Sequence, residues 1–80
     1  MILIESAVPW KTSEFLMRQK KVSIRGQQRW ISEDGTQIYE WDELHGEIEM
    51  YNRRGKVVSI LNSDGSVSSK KIKAGRTIDV

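Results

Sequence analysis

Residues 39–51 read Tyr39-Glu40-Trp41-Asp42-Glu43-Leu44-His45-Gly46-Glu47-Ile48-Glu49-Met50-Tyr51, and the alternation within them decides the fold. Successive side chains on a strand point to opposite faces. His45, Glu47 and Glu49 therefore share one side while Gly46, Ile48 and Met50 share the other. Just upstream, Ile38, Glu40 and Asp42 oppose Tyr39 and Trp41, and the phase shifts at Glu43-Leu44, so that Asp42 and His45 meet across a break. One face is core. The other gathers the only histidine and most of the stretch's carboxylates, five of the chain's eleven acidic residues lying within residues 39–51. Carboxylates around a lone imidazole, in a chain that is otherwise basic, suit general acid–base chemistry on a phosphodiester.

Outward from this stretch, segments of the same period are separated by glycine turns. Residues 29–33 and 36–42 flank Asp34-Gly35, a strong hairpin signal, and residues 45–52 and 56–62 flank Arg53-Arg54-Gly55. Asp64-Gly65 leads into residues 66–72, Ala74-Gly75 precedes a last segment at 76–80, and residues 21–25 alternate until Gly26 closes them. Strands joined this briefly predict an antiparallel β-sheet meander, strongly twisted. Ahead of it, Thr12 or Ser13 is an N-cap for Glu14-Phe15-Leu16-Met17-Arg18-Gln19, with an acid early and a base late as the helix dipole favours. The expectation is a short N-terminal helix of about two turns, with Phe15 and Leu16 packed against the sheet. Residues 1–8 are apolar and β-leaning, an edge strand or docking arm that Pro9 ends. The fold class is α+β in a single domain over residues 1–80, with arm and helix at 1–22 and sheet at 23–80.

At 80 residues the chain has room for one small core. Without cysteine it has neither a disulfide framework nor a thiolate metal site, and a single histidine argues against zinc. No cofactor and no metal are expected. The longest apolar run, residues 1–4, is far too short to span a membrane, and no leader pattern is evident, so a soluble protein acting in a cytoplasm is expected. Net charge is only +2, but residues 53–76 hold seven bases (Arg53, Arg54, Lys56, Lys70, Lys71, Lys73, Arg76) against one acid, Asp64. That half suits a polyanion, although lysines on loops and strand edges also discourage aggregation. Trp30, Tyr39, Trp41 and Tyr51 could stack on bases, for ~1–3 kcal/mol each, but are assigned to the core.

The motifs Arg29-Trp30, Tyr39-Glu40-Trp41-Asp42, His45-Gly46-Glu47-Ile48-Glu49 and Tyr51 closely resemble the cytotoxic ribonuclease domain of cloacin and the ribosome-cleaving colicins. The likeness continues through residues 55–62 to Arg76-Thr77-Ile78 and covers roughly residues 29–78. It implies a metal-independent endoribonuclease, a bacteriocin-type toxin. Such a toxin would cut small-subunit ribosomal RNA in the decoding centre, block translation, and be restrained by an acidic immunity protein. The resemblance further implies Asp42, His45, Glu49 and Arg76 as the catalytic set and one RNA-contacting lysine, which a single gap after Asn62 moves between Ser69, Lys70 and Lys71; Lys70, Lys71 and Lys73 are the candidate RNA contacts. This chain is less basic than the colicin domains. Its partners would be the ribosome and a cognate acidic immunity or antitoxin protein, with no membrane and a monomer when free. Action would be in the bacterial cytoplasm, either as a free-standing toxin or after delivery from a larger secreted one.

Cleavage without a metal uses the RNA's own 2′-hydroxyl as nucleophile, and needs a base, an acid and a cation for the phosphorane. The assignment is Glu49 as base, His45 as acid, Asp42 as the carboxylate that orients His45 and favours its charged form, and Arg76 as clamp. Strand spacing alone favours Glu47, because four residues would set Glu49 roughly 13 Å from His45 between Cα atoms. Glu47 is accordingly kept as a supporting residue, its bland role being a cross-strand partner for a lysine. The alternative from another class is a non-catalytic basic β-module that binds RNA or ribosomes, which would tolerate loss of the carboxylates.

Overall fold

The computed structural model describes residues 7–70, 72 and 75–80. Five strands form one open antiparallel sheet in chain order: β1 (Lys20–Ile24), β2 (Gln27–Ile31), β3 (Gln37–Asp42), β4 (Glu47–Asn52) and β5 (Val57–Leu61). This is the meander expected from the glycine-punctuated alternation. The one α-helix among the described residues, α1 (Glu14–Met17), follows a 3₁₀ turn at Trp10–Thr12.

Helix α1 is a single turn rather than two. Ser13 caps it as expected: its hydroxyl accepts from the Leu16 N–H at 3.1 Å and donates to the Ser63 carbonyl at 2.7 Å, so the cap also ties the helix to the turn after β5. At the other end the Gln19 side-chain amide donates to the Phe15 carbonyl, and from Lys20 the chain is already paired with Ile31 in the sheet. A helix this short is marginal by itself, and its place comes from packing. Leu16 is fully buried with Trp30, Tyr39, Ile48 and Leu61, and Phe15 sits edge-on to Tyr39 at 5.2 Å. Phe15 also covers Gly65 so closely that a Cβ there would meet its ring at 2.3 Å.

The register separates the two faces. Asp42 stands opposite Glu47 and Glu40 opposite Glu49, while Trp41 faces Ile48 and Tyr39 faces Met50. Opposed residues share a face. The apolar rungs lie against α1, and the acidic rungs lie on the other side, where Ile38, Tyr51, Val57 and Ile78 make a second, smaller cluster. Trp30, Tyr39 and Tyr51 are core residues, as assigned, and Trp41 is half-buried with its indole N–H donating to the Val8 carbonyl at 2.6 Å.

Several boundaries differ from expectation. β1 begins at Lys20, ahead of the division placed after residue 22. Arg25 belongs to the turn, not the strand: Arg25 and Gly26 both have positive φ (52° and 77°), the signature of a type I′ hairpin. At Asp34-Gly35 only the glycine is left-handed, and the hairpin closes by a longer loop in which the Ser32 N–H donates to the Gln37 carbonyl. Residues 66–72 do not form the expected strand among their described members; Val67 makes one isolated bridge to Leu61. Residues 76–80 likewise make a single bridge, Thr77 to Lys56. Most of the arm at residues 1–8 lies outside the described residues, but Val8 is docked by its N–H on the Glu43 carbonyl at 2.8 Å.

Candidate active site

The site is built on the β3–β4 hairpin. Asp42 ends β3, and residues 43–46 form the turn, closed by the Gly46 N–H on the Asp42 carbonyl at 2.8 Å with Gly46 left-handed (φ 65°). His45 is therefore not on a strand with Glu47 and Glu49, as the alternation had placed it. It rides in the turn, where the Asp42 side chain gathers it. One carboxylate oxygen accepts from the Leu44 and His45 N–H groups at 3.0 and 3.2 Å, and the other meets His45 Nδ1 at 2.8 Å. A carboxylate can only accept, so Nδ1 carries the proton and Nε2 is left free on a half-exposed ring. Burial pushes the Asp42 carboxyl up, but hydrogen bonds from the His45 ring and backbone, the His45 charge and the Leu44 N–H outweigh it and hold it below its ordinary value.

Glu49 lies one rung further along the same face. Its carboxylate pairs with Arg76 Nη1 at 2.5 Å and its side chain is 17% exposed. Burial raises its pKa above the usual glutamate value; Arg76 pulls it down, Glu40 and Asp42 push it up, and a hydrogen bond from Tyr51 opposes them. Beneath it, Tyr51 donates to Glu40 at 3.5 Å, and its phenol is pushed up to about 12 by burial and then by Glu49 and Glu40. Arg29, 4% exposed, donates through Nε to Glu40 at 3.0 Å and through Nη1 to the Asp79 carbonyl. This Arg29–Glu40–Tyr51 network was not assigned a role from sequence. The only signal for it was that Glu40 shares parity with Asp42; that Arg29 reaches it from β2 needed the register.

Arg76 arrives from the C-terminal segment, which is strapped to the β4–β5 turn. The Val57 N–H donates to the Arg76 carbonyl at 3.1 Å, the Ile78 N–H to the Gly55 carbonyl at 2.8 Å, and Ile78 packs against Tyr51 and Val57. Glu47 pairs with Lys70 at 3.0 Å, the lysine partnership its bland reading named. Asp42, His45, Glu49 and Arg76 thus fall on one face as two linked pairs, with Glu47 and Lys70 beside them. Lys71 and Lys73 lie outside the described residues. Asp42, His45 and Glu47 each offer a donor atom within 4.8 Å of the others, so a cation could be held here if Glu47 released Lys70.

An antiparallel sheet carrying an imidazole, carboxylates and a guanidinium on one face defines a small domain equipped for proton transfer beside an anion. The chain belongs to the Cytotoxic family, whose model matches residues 12–79, and is accordingly a toxin domain of nuclease-like character. That is consistent with the resemblance to the ribonuclease domain of cloacin and the colicins. No curated protein and no solved structure matches the chain.

Proposed function

We propose that the protein is a ribonuclease toxin that cuts small-subunit ribosomal RNA in the decoding centre and so stops translation, by acid–base transesterification without a metal. The observation that carries this is the placement of the Asp42–His45 and Glu49–Arg76 pairs on adjacent rungs of one hairpin. Glu49, ionised above its raised pKa, takes the proton of the 2′-hydroxyl, whose oxygen attacks phosphorus. Arg76 turns from Glu49 to the phosphorane oxygens, and His45, entering the step as the imidazolium with Nδ1–H held by Asp42, gives its second proton from Nε2 to the departing 5′-oxygen and is left neutral. The products are a 2′,3′-cyclic phosphate and a 5′-hydroxyl. Lys70, Lys71 and Lys73 supply RNA contacts. The producing cell is protected by an acidic inhibitor, and the target is reached in the bacterial cytoplasm.

The test is incubation with bacterial ribosomes, in excess EDTA under conditions that keep them folded, followed by electrophoresis of the RNA. A single cut near the 3′ end of the small-subunit RNA is expected. Intact RNA at stoichiometric protein would leave a basic module that binds without cutting. Activity lost to EDTA and restored by zinc or manganese would turn Asp42, His45 and Glu47 from acid–base groups into ligands.

A further inference from the structure

The turn that carries His45 has little of its own to hold it. Glu43, Leu44 and His45 are all exposed, Leu44 at 60%, so none of these side chains anchors the turn in the core. On the β2 side, the ladder with β3 holds only Trp30 opposite Tyr39 and Ile31 opposite Ile38, and Asp42 lies beyond it. Within the hairpin the turn is closed by the Gly46 N–H on the Asp42 carbonyl and by the Asp42 carboxylate on the Leu44 and His45 N–H groups. Hydrogen bonds at so exposed a place are modest in net strength, because water competes for the same groups.

Val8 adds a hold from outside the hairpin. Its N–H donates to the Glu43 carbonyl at 2.8 Å and its carbonyl accepts from the Trp41 indole at 2.6 Å, so the two residues that flank Asp42 are pinned to one point. Pro9 prepares this double bond: the residue before a proline is kept extended, and an extended residue turns its N–H and C=O to the same side. The Val8 side chain lies over Gly46, where a Cβ would meet it at 3.5 Å. Val8 thus bears on the neighbours of both Asp42 and His45. We infer that Val8 is a positioning residue, acting through Trp41, Glu43 and Gly46 to keep the Asp42 carboxylate aligned on His45 Nδ1 and so to fix where Nε2 points. Its effect on cleavage rests on the ribonuclease reading; its hold on the turn does not.

The test compares the full chain with Trp41→Phe, which removes the indole N–H and keeps a ring, and with Val8→Ala, which uncovers Gly46 and keeps both backbone bonds. Native-state amide exchange is followed at Gly46, with Ile48 and Tyr51 in the central strand as the measure of global opening. In both variants Gly46 should exchange about fivefold or more faster, beyond any change at Ile48 and Tyr51. Single-turnover cleavage of ribosomes should lose roughly tenfold or more in maximal rate while the half-saturating concentration stays within about twofold, since a misaimed acid costs rate and not binding. Gly46 exchange that moves only in step with Ile48 and Tyr51 overturns the clamp, whether or not ribosomes are cut. Faster exchange at Gly46 with an undiminished maximal rate overturns the positioning of His45. A wild-type chain that leaves ribosomal RNA intact sinks the ribonuclease reading instead, and selective exchange at Gly46 then still upholds the hold of Val8 on the turn.

Discussion

Glu47 and Glu49 occupy the same face two residues apart, yet they meet different partners. Glu47 is held by Lys70, whereas Glu49, its side chain equally covered, stands among Arg76, Tyr51 and the further carboxylates Glu40 and Asp42. Burial and those neighbouring carboxylates raise the Glu49 pKa, which makes it a stronger base provided it is ionised at the working pH. Glu49→Gln keeps the shape and removes the proton acceptor, so single-turnover cleavage of ribosomes should fall about 10²–10⁴-fold, and Glu47→Gln should cost no more than roughly tenfold. A dead Glu47→Gln with an active Glu49→Gln would exchange their roles. The pH profile carries a second prediction. Since burial, Glu40 and Asp42 raise the Glu49 pKa while Arg76 lowers it, the acidic limb of the cleavage rate should lie above the ordinary glutamate value. Replacing Arg76 by Gln removes the lowering influence, so the limb should move to higher pH as the maximal rate drops. A limb unmoved by that substitution would mean the titrating base is some other group.

Two turns show how the elements carry the site. The β1–β2 connection puts Arg25 in the left-handed region at φ 52°, where a side chain is strained and Asn or Gly is favoured. Arg25→Asn should therefore stabilise the fold by roughly 0.5–1 kcal/mol in denaturant titration without touching cleavage. Gly55 is the opposite case. Its φ is +82° and a Cβ would fall 2.2 Å from the Ile78 carbonyl oxygen, so Gly55→Ala pushes away the segment that delivers Arg76. It should lose stability by more than about 1 kcal/mol and slow cleavage by more than the unfolded fraction explains. Unchanged activity per folded molecule would show that Arg76 does not depend on this strap. The meander and the split into apolar and acidic faces were legible because alternation is clean within residues 37–42 and again within 47–52, and both faces of that hairpin are chemically distinct. The ends of strands were not. Arg25 reads as one more alternating residue until its backbone is seen, and the described residues of 66–72 and 76–80 make only isolated bridges rather than a ladder. His45 was misplaced for the same reason: the side chain of Asp42 organises a turn over Leu44 and His45, and that local hydrogen bonding overrides the period. Its pairing with Asp42 was legible all the same, since a break in phase between them was visible.

Over the whole molecule, the four carboxylates on the strands of the central hairpin are each matched by a basic group. Glu40 is held by Arg29, Glu47 by Lys70 and Glu49 by Arg76, while Asp42 holds His45. On the proposed ribonuclease reading, a phosphodiester entering this face would draw Lys70 and Arg76 from carboxylate to phosphate, and the basic half of the chain would be the side that an RNA backbone approaches. An inhibitor that shields the site must present carboxylates to the same cations, whatever its fold. Long-range attraction between an acidic face and this surface would hasten encounter, and salt would screen it over about 8–10 Å near physiological strength. Association of the chain with the proposed acidic inhibitor, followed by stopped-flow tryptophan fluorescence, should thus slow about tenfold or more as salt rises from dilute buffer to roughly 0.5 M, with a much smaller change in dissociation. Neutralising Arg53 and Arg54 together, at an exposed turn away from the acid–base set, should flatten part of that dependence while leaving ribosome cleavage in place. An association rate indifferent to salt would mean that shape and apolar contact, not charge, bring the two proteins together.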